Sequence, residues 1–500
     1  MGAFLPPARE AFRILPGLEL LNRGKVRDTY LLPDSQHLLI VTSDGISIFD
    51  YVLDASVRHK GYVLNMISVF WFRMLESHGF RTHLVAAGKN IDAYLPEDLR
   101  NDPDLQARAM VVEKVTPLEY EFIYRNVLTG SSVKAYKQDG AVCGIPLPPG
   151  MQDSDLFGDP LFTPTTKAET GHDENVPAQE VIDKYPDAVT MGMSIFKLGT
   201  QWARQHGILM ADTKFEFGWD TDGTLMIIDE VMSPDSSRFW EQAVWEVTQG
   251  QSKRKAPPSF DKQQVRDYGA QLGINDAKRS PENPDDRAWV WALKFPDDVL
   301  DSTTKRYRYI LWRLSGHTVE SFAQYVLGVS LPIQPKSVAI VFGSESDITD
   351  AVRDTIRTAC LRHVESGELE VIAVHVISCH RNPDVLAEFA MKGCDGADVV
   401  ICAGGKAFAL PGVLDALIHQ AGRGIPVIGV AFGTPGTENF EAARLSIKEL
   451  PSQPVVLNEQ TGEPYGGVDG LTQAIARVAT GELPPPKTRK TAEAKLNISI

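Results

Sequence analysis

The stretch from Ile208 to Trp240, ILMADTKFEFGWDTDGTLMIIDEVMSPDSSRFW, constrains this chain most, because alternating residues flank a turn dipeptide. Asp212, Lys214 and Glu216 fall on one face of a strand, with Thr213, Phe215 and Phe217 on the other. Asp222-Gly223 favours a tight two-residue turn, since both residues tolerate positive φ. Leu225–Ile228 is the apolar return strand. With that turn centre, Thr221 pairs with Thr224, and the register carries Glu216 opposite Asp229. Directly opposed side chains have Cβ atoms about 5 Å apart, and like charges there destabilise the pair. Two such carboxylates call for a cation, and their hard oxygens suit Mg²⁺ beside substrate phosphates. Lys214, on the same face, is placed to hold a phosphate or carboxylate next to the metal. Asp235, Ser236, Ser237 and Arg238 follow, and the guanidinium fork of Arg238 suits a planar anion. The competing reading is a surface hairpin with a solvated acidic face.

Other segments upstream have anion-binding character. Gly24-Lys25-Val26-Arg27 precedes the strands Arg27–Leu32 and His37–Thr42 of a β-meander. Gly24 permits close backbone approach, and Lys25 and Arg27, on alternate positions, would cover nucleotide phosphates. Solvated turns also carry this pattern. Met110–Val115, which contains Glu113, reads as a strand able to serve as a hinge beside an adenine. Leu128-Thr129-Gly130-Ser131-Ser132 makes a small-residue turn before helical Val133–Lys137. Amide N–H groups and hydroxyls at a helix start bind anions, and Arg125 would complete a phosphate clamp; plain capping by Ser131 or Ser132 is the alternative. Further helices are expected over Lys60–Leu75, Asp187–His206, Ser259–Leu272 and Asp297–Leu314.

Length and charge narrow the function. Five hundred residues imply two to four domains, and a net charge of −15 disfavours broad attraction to nucleic acid or to anionic membranes. Five cysteines, odd in number and without CxxC spacing, suit free thiols in a reducing cytoplasm. No secretory leader and no membrane span is expected.

After Leu331-Pro332-Ile333-Gln334-Pro335, the expected linker (331–336), the pattern changes. Strands Ser337–Phe342, Val371–Ser378, Asp398–Cys402 and Pro426–Ala431 alternate with helical Ile348–Ser366, Pro383–Lys392 and Leu410–Ala421, which predicts a parallel sheet wrapped by helices. Ligands bind such sheets beyond the C-terminal strand ends. Those ends carry Gly343-Ser344-Glu345-Ser346-Asp347, suited to phosphate, then Ser378-Cys379-His380-Arg381, and then Ala403-Gly404-Gly405. His380 is placed for proton transfer near neutral pH, or is a capping histidine. The tail 483–500 reads as disordered.

These stretches carry a resemblance. GKVRDTY, SDGISIFD, KGYVLNMIS, EFIYRNVLTGS, PLFTPTTKAETGHDE, ADTKFEFG, IIDEVMSPDSSRFW and FDKQQVRDY occur in the order found in SAICAR synthetases, so the segment 1–330 resembles that family. The resemblance implies an α+β, two-lobed ATP-binding domain with a kinase-like β lobe. It also implies ligation of carboxyaminoimidazole ribonucleotide to L-aspartate, with ATP cleaved to ADP and phosphate through an acyl phosphate. On these positions, Lys25 and Arg27 would touch ATP, and Glu216 and Asp229 would hold Mg²⁺. Arg125, Ser131 and Arg238 would hold the ribonucleotide phosphate, while Lys167, Asp173, Lys214 and Asp235 line the reacting end. Gly45 stands where the family has arginine.

Segment 337–482 resembles aminoimidazole ribonucleotide carboxylases and mutases through GSESD, SCHRNP, the Gly405–Gly412 loop and PVIGVAF. The resemblance implies an α/β three-layer, flavodoxin-like domain. Ser344, Ser346, Asp347, Ser378 and Arg381 would bind the nucleotide, and His380 would shuttle a proton as carboxylate moves on aminoimidazole ribonucleotide or its N5-carboxy form. The family assembles as octamers, which implies a homo-oligomer through this domain. Lys406-Ala407-Phe408-Ala409-Leu410 lacks the family's histidine. Two other readings stand beside the bifunctional purine-biosynthetic one: a non-catalytic sensing or oligomerisation module at the C-terminus, and a kinase-like phosphotransferase at the N-terminus.

Overall fold

A computed structural model describes residues 4–167, 174–331, 336–365, 369–406, 408–421, 423–450, 454–458, 460–480 and 483. The chain forms two compact units, Met1–Leu331 and Pro332–Ile500. Pro332–Pro335, Asp173 and, apart from Leu483, the tail fall outside the described residues.

After a single helical turn at Pro7–Glu10, the first unit continues with strands β1 (Glu19–Arg23), β2 (Arg27–Leu31) and β3 (His37–Thr42), followed by the hairpin β4 (Gly45–Ile48) and β5 (Tyr51–Ser56). Helix α1 (Lys60–Ser77) is apolar almost all round and is buried. Strands β6 (Leu84–Ala87) and β7 (Ala109–Glu113) complete a sheet of order β1-β2-β3-β7-β6.

A second, seven-stranded sheet holds β8 (Tyr120–Val127), β9 (Leu156–Phe162), β10 (Ile208–Trp219), β11 (Leu225–Ile228) and β12 (Ser237–Glu241). Between β8 and β9 lies α2 (Ser131–Asp139), and α3 (Pro186–Gln205) precedes β10. Pro186 occupies the first turn of α3, where a proline gives up no helical hydrogen bond. Helices α4 (Gln263–Gln271) and α5 (Asp297–Ser315) follow. Phe215 and Phe217 of β10 enter the main core with Phe122 and Tyr124 of β8 and Trp71 and Phe72 of α1. Backbone bonds in Arg81–Leu84 stitch the sheets together: His83 N–H donates to Ile227 and Glu113 N–H to His83, at 3.2 and 2.8 Å.

The predicted register of the central hairpin is wrong by one residue. Phe217 pairs with Ile227 and Glu216 with Ile228, so Asp229 does not face Glu216. The cause is the turn. Asp220 and Thr224 close it, the Asp220 carboxylate accepts the N–H groups of Asp222 and Thr224, and Gly223 takes the left-handed conformation at φ 78°. The result is a three-residue loop with glycine at its left-handed position, not a two-residue one. Asp229 follows the end of β11 and itself adopts φ 61°, which turns the chain out of the sheet.

In the second unit, β13 (Lys336–Phe342), α6 (Asp350–Glu365), β14 (Leu369–Val376), α7 (Pro383–Met391), β15 (Val399–Gly404), α8 (Leu410–Gln420), β16 (Val427–Ala431), α9 (Glu438–Lys448), β17 (Tyr465–Gly466) and α10 (Gly467–Thr480) alternate. The sheet order is β14-β13-β15-β16-β17, all parallel. Apolar clusters cover both faces, one built with α7, α8 and α9 and the other with α6 and α10. This is the flavodoxin-like winding, with its switch point between β13 and β15. Among the described residues, no helix is long and apolar enough to cross a membrane.

Candidate active site

Strand β10 is the spine of the site in the first unit. Asp212 pairs with Arg125 of β8 on one side and with Arg238 of β12 on the other. Both guanidinium groups therefore reach the same carboxylate, at 2.5 and 2.6 Å. Arg125, 4% exposed, also donates to Thr163 and lies 3.4 Å from Ser131 Oγ. Gly130, at φ 63°, lets Arg238 lie against the turn before α2: a Cβ there would sit 2.5 Å from the guanidinium. Ser132 rather than Ser131 ties that turn, accepting from Thr129 N–H and donating to Thr129 O.

Arg125, Ser131, Asp212 and Arg238 line a cavity of about 220 Å³ together with Lys214, Asp235, Lys262 and Arg266. The cavity exists because β11 and β12 share one edge of β10, and the segment between them bulges out carrying Glu230 and Asp235. Asp235 is held by Lys60 at 2.7 Å and Tyr307 at 2.6 Å, with Lys262 at 3.9 Å. Burial pushes the Asp235 carboxyl up, but Lys262, Lys60 and Tyr307 outweigh it and hold the group well below the usual carboxylate range. Burial pulls Lys262 down to about 8 against the attraction of Asp235. Sequence reasoning missed Lys60, Lys262, Arg266 and Tyr307. The one signal was a lysine opening the apolar run of α1.

At the far end of the face, Lys214 lies 2.5 Å from Glu121 and 3.6 Å from Glu216. Burial lowers the affinity of Lys214 for its proton, yet Glu121, Glu216 and Asp229 raise it further, so the amine stays charged. Exposed Lys167 also pairs with Glu216. Burial pushes Glu216 up, but Lys214 and Lys167 keep it below its ordinary value. Glu121 and Glu230 were not anticipated as parts of this cluster.

The glycine turn stands differently from the expectation for it. Buried Arg9 donates to Gly24 O at 3.1 Å and pairs with Asp28 at 2.5 Å, which fixes the loop backbone. Lys25 is exposed and pairs with Asp50 at 2.7 Å. Arg27 turns to Glu230, at 2.5 Å, and stands 3.9 Å from Asp229. Lys25 and Arg27 thus engage different acids instead of presenting one phosphate-facing pair. A Cβ at Gly45 would meet Ser43 Oγ at 3.2 Å and the Arg9 side chain at 3.4 Å, and Arg108 stands 3.4 Å from the adjacent Asp44. Glu113 ends β7 opposite His37.

At the C-terminal strand ends of the second unit, Ser344 Oγ caps the turn Glu345–Asp347 and lies 2.9 Å from Ser346 Oγ. Burial raises the Asp347 carboxyl, and the Gly405 N–H and Arg381 partly offset this. Arg381 donates to Gly343 O at 3.1 Å. Ser378 Oγ accepts the backbone N–H groups of His380 and Arg381, at 3.4 and 3.3 Å, so it shapes the loop. His380 is exposed, its Nδ1 lying 3.5 Å from Cys379 Sγ. Phe408, 5% exposed, packs on this rim: a Cβ on Gly404 would sit 2.4 Å from its ring and one on Gly343 3.0 Å away.

Comparison with known proteins agrees with both halves. The SAICAR synthetase family model matches residues 20–282, and the AIR carboxylase family model matches residues 337–464. A phosphoribosylaminoimidazole-succinocarboxamide synthase of Syntrophotalea carbinolica is 43% identical over 307 residues, covering 60% of this chain and 96% of that protein. Its counterpart in Methylobacillus flagellatus is 41% identical over 308 residues, covering 60% of this chain and 96% of that protein. The structure of the SAICAR synthase from Saccharomyces cerevisiae in complex with SAICAR is 34% identical, with a TM-score of 0.52 over 61% of this chain and 97% of that one. The chain therefore belongs to the SAICAR synthetase family of purine-biosynthetic ligases, with an AIR carboxylase-like domain fused after it.

Proposed function

We propose that the first unit joins the carboxylate of carboxyaminoimidazole ribonucleotide to the amine of L-aspartate, with ATP cleaved to ADP and phosphate. The observation that carries this reading is the cavity in which Arg125 and Arg238 share Asp212 beside Ser131. Both forks meet at one Asp212 oxygen, so a phosphate would bind beside that carboxylate through their remaining N–H groups, and placing the ribonucleotide phosphate next to Ser131 leaves its carboxylate toward Lys214 and Asp235. Lys262 and Arg266 add positive charge on the same wall. Lys214, kept cationic, would steady the carboxylate as it takes the γ-phosphoryl group to form an acyl phosphate. The aspartate amine then attacks that carbonyl and phosphate leaves. Lys167 and Asp173 are assigned to this reacting end.

The two sheets form the two lobes of the ATP site, with Gly24, Lys25 and Arg27 over the phosphates and Glu113 beside the adenine. Lys25 and Arg27 must then release Asp50 and Glu230. Glu216 and Asp229 carry hard oxygens suited to Mg²⁺, but they are not cross-strand partners, and Lys167 and Lys214 at Glu216 and Arg27 at Asp229 must give way before the two hold an ion. When bound, the ion would neutralise charge on the phosphates. Catalysis in this scheme is chiefly positioning and charge neutralisation.

The second unit, in this reading, moves carboxylate on aminoimidazole ribonucleotide or its N5-carboxy form. His380 would shuttle the proton, while Ser344, Ser346, Asp347, Ser378 and Arg381 hold the nucleotide, and the unit would assemble as a homo-oligomer. Phe408 favours a second reading, because its apolar ring packs on the glycine rim in a loop that lacks the family's histidine. That reading makes the domain a non-catalytic sensing or oligomerisation module.

Purified protein assayed with aspartate, ATP or bicarbonate omitted in turn tests both. ADP release that requires aspartate supports the ligase and excludes a kinase-like phosphotransferase; release without aspartate sinks it. Carboxylate transfer lost in His380→Asn supports the carboxylase, and equal inertness of wild type and variant supports the module.

A further inference from the structure

Strands β8 and β10 run antiparallel with Asp212 opposite Arg125, Thr213 opposite Tyr124, Lys214 opposite Ile123 and Phe215 opposite Phe122. One further step in this register sets Glu216 against Glu121. The like-charge pair expected on the β11 side of Glu216 thus lies on the β8 side. Opposed carboxylates repel unless a cation intervenes, and Lys214, on the diagonal, supplies it. Its ammonium is closer to Glu121, at 2.5 Å, than to Glu216, at 3.6 Å. Glu121 is 8% exposed, and its second oxygen accepts from Thr165 Oγ1 at 3.2 Å, so the carboxylate is fixed at both ends.

We propose that Glu121 is a positioning residue, which holds Lys214 closer to itself than to Glu216 and so weakens the competition of Lys214 with a divalent cation there. This inference rests on the metal site assigned to Glu216. Without the Glu121 charge, Lys214 would close on Glu216 as its nearest remaining anion. A tethered ammonium there competes directly with the metal. Lys167, the other partner of Glu216, is exposed and free to swing into solvent. Lys214 is more confined: it is only partly exposed, rises from a strand paired on both sides, and its ammonium already lies between the two acids. The fixed lysine needs a counter-charge of its own, whereas the mobile one does not.

The test compares wild type with Glu121→Gln, which keeps the volume and the capacity to bond Thr165 but removes the charge. Magnesium affinity is measured by calorimetry in the presence of a non-hydrolysable ATP analogue, and kcat is measured in parallel. Groups that orient a metal ligand typically account for a ten- to hundredfold change in affinity or activity, so a loss of about that size is expected in both. The aspartate KM should not move. Placing Glu121→Gln in a Lys214→Met background should add nothing, because the competing ammonium is gone. Should the glutamine variant fail to fold, Thr165→Val, which removes only the hydroxyl holding Glu121, should weaken magnesium binding in the same direction. Wild-type magnesium affinity in Glu121→Gln, or an undiminished effect in the Lys214→Met background, would overturn the proposal. Aspartate-dependent ADP release by the wild type is scored separately. Its absence would defeat the functional reading, while calorimetry still decides the role of Glu121.

Discussion

In the first unit Arg125 and Lys60 are almost wholly buried, and each has a carboxylate within 2.7 Å. At the rim of the second unit His380 and Arg381 are exposed, and a serine hydroxyl and a backbone carbonyl shape their loop. The contrast follows from how each unit supplies its groups: Lys60 reaches Asp235 from helix α1, whereas Arg125 meets Asp212 across the sheet. In the antiparallel sheet of the first unit, neighbouring strands set side chains side by side on one face, so opposite charges interleave before any ligand arrives. The parallel sheet of the second unit delivers its polar groups on separate loops at the strand ends, where water covers them. The first arrangement is preorganised but intolerant of losing one member. The second tolerates loss because little else leans on each group.

The harshest test of this contrast is Lys60→Met. It leaves Asp235 buried against Tyr307 without its nearest cation, and breaking a buried pair from one side costs about 3–5 kcal/mol. Denaturant unfolding should show a loss of that order, together with loss of aspartate-dependent ADP release. Within the second unit the sensitive feature is packing. A Cβ on Gly404 would strike the Phe408 ring at 2.4 Å. Gly404→Ala should therefore destabilise that unit by about 1–3 kcal/mol, the usual range for overpacking, and Phe408→Leu in the same chain should recover part of it.

Acid should act on the first unit. Burial lowers His83 to about 4, and burial assisted by Arg308 lowers His59 to about 4. Both fold neutral, so the unfolded chain takes up protons first as pH falls below about 6.5. Their contribution is complete above that value and shrinks toward pH 4, with about 2 kcal/mol lost per histidine at pH 5. Unfolding followed between pH 7 and 5 checks this slope, and His83→Gln should remove its share. The smallest effect belongs to Arg381→Ala. As an exposed side chain it should alter stability by less than about 0.5 kcal/mol, even where it weakens ribonucleotide binding. A loss of several kcal/mol would erase the difference between the two sites.

Much of the architecture was legible because period and punctuation report local geometry. The alternation of Asp212–Phe217 fixed which residues share a face, and the apolar strands after Lys336 alternating with helices indicated a parallel sheet. The site was legible in its anions and guanidinium groups but not in their partners. Nothing near Asp212 in the chain announces that Arg125 and Arg238 will flank it from two different strands. Lys60 and Lys262 looked like ordinary helix residues, because what makes them part of the site is burial beside Asp235, far away in sequence.

By itself, the order of residues determined the family, the strand and helix pattern, and the chemical types available at each rim. These are short-range properties, set by backbone preference and by the spacing of apolar side chains. Tertiary structure alone decided the pairings. The Asp220 carboxylate and Gly223 closed a three-residue turn and moved Glu216 from Asp229 to Ile228. The neighbouring strand then placed Glu121 beside Lys214. A one-residue slip reverses the face that a side chain meets across a sheet, and it is settled by the whole set of strands packing together.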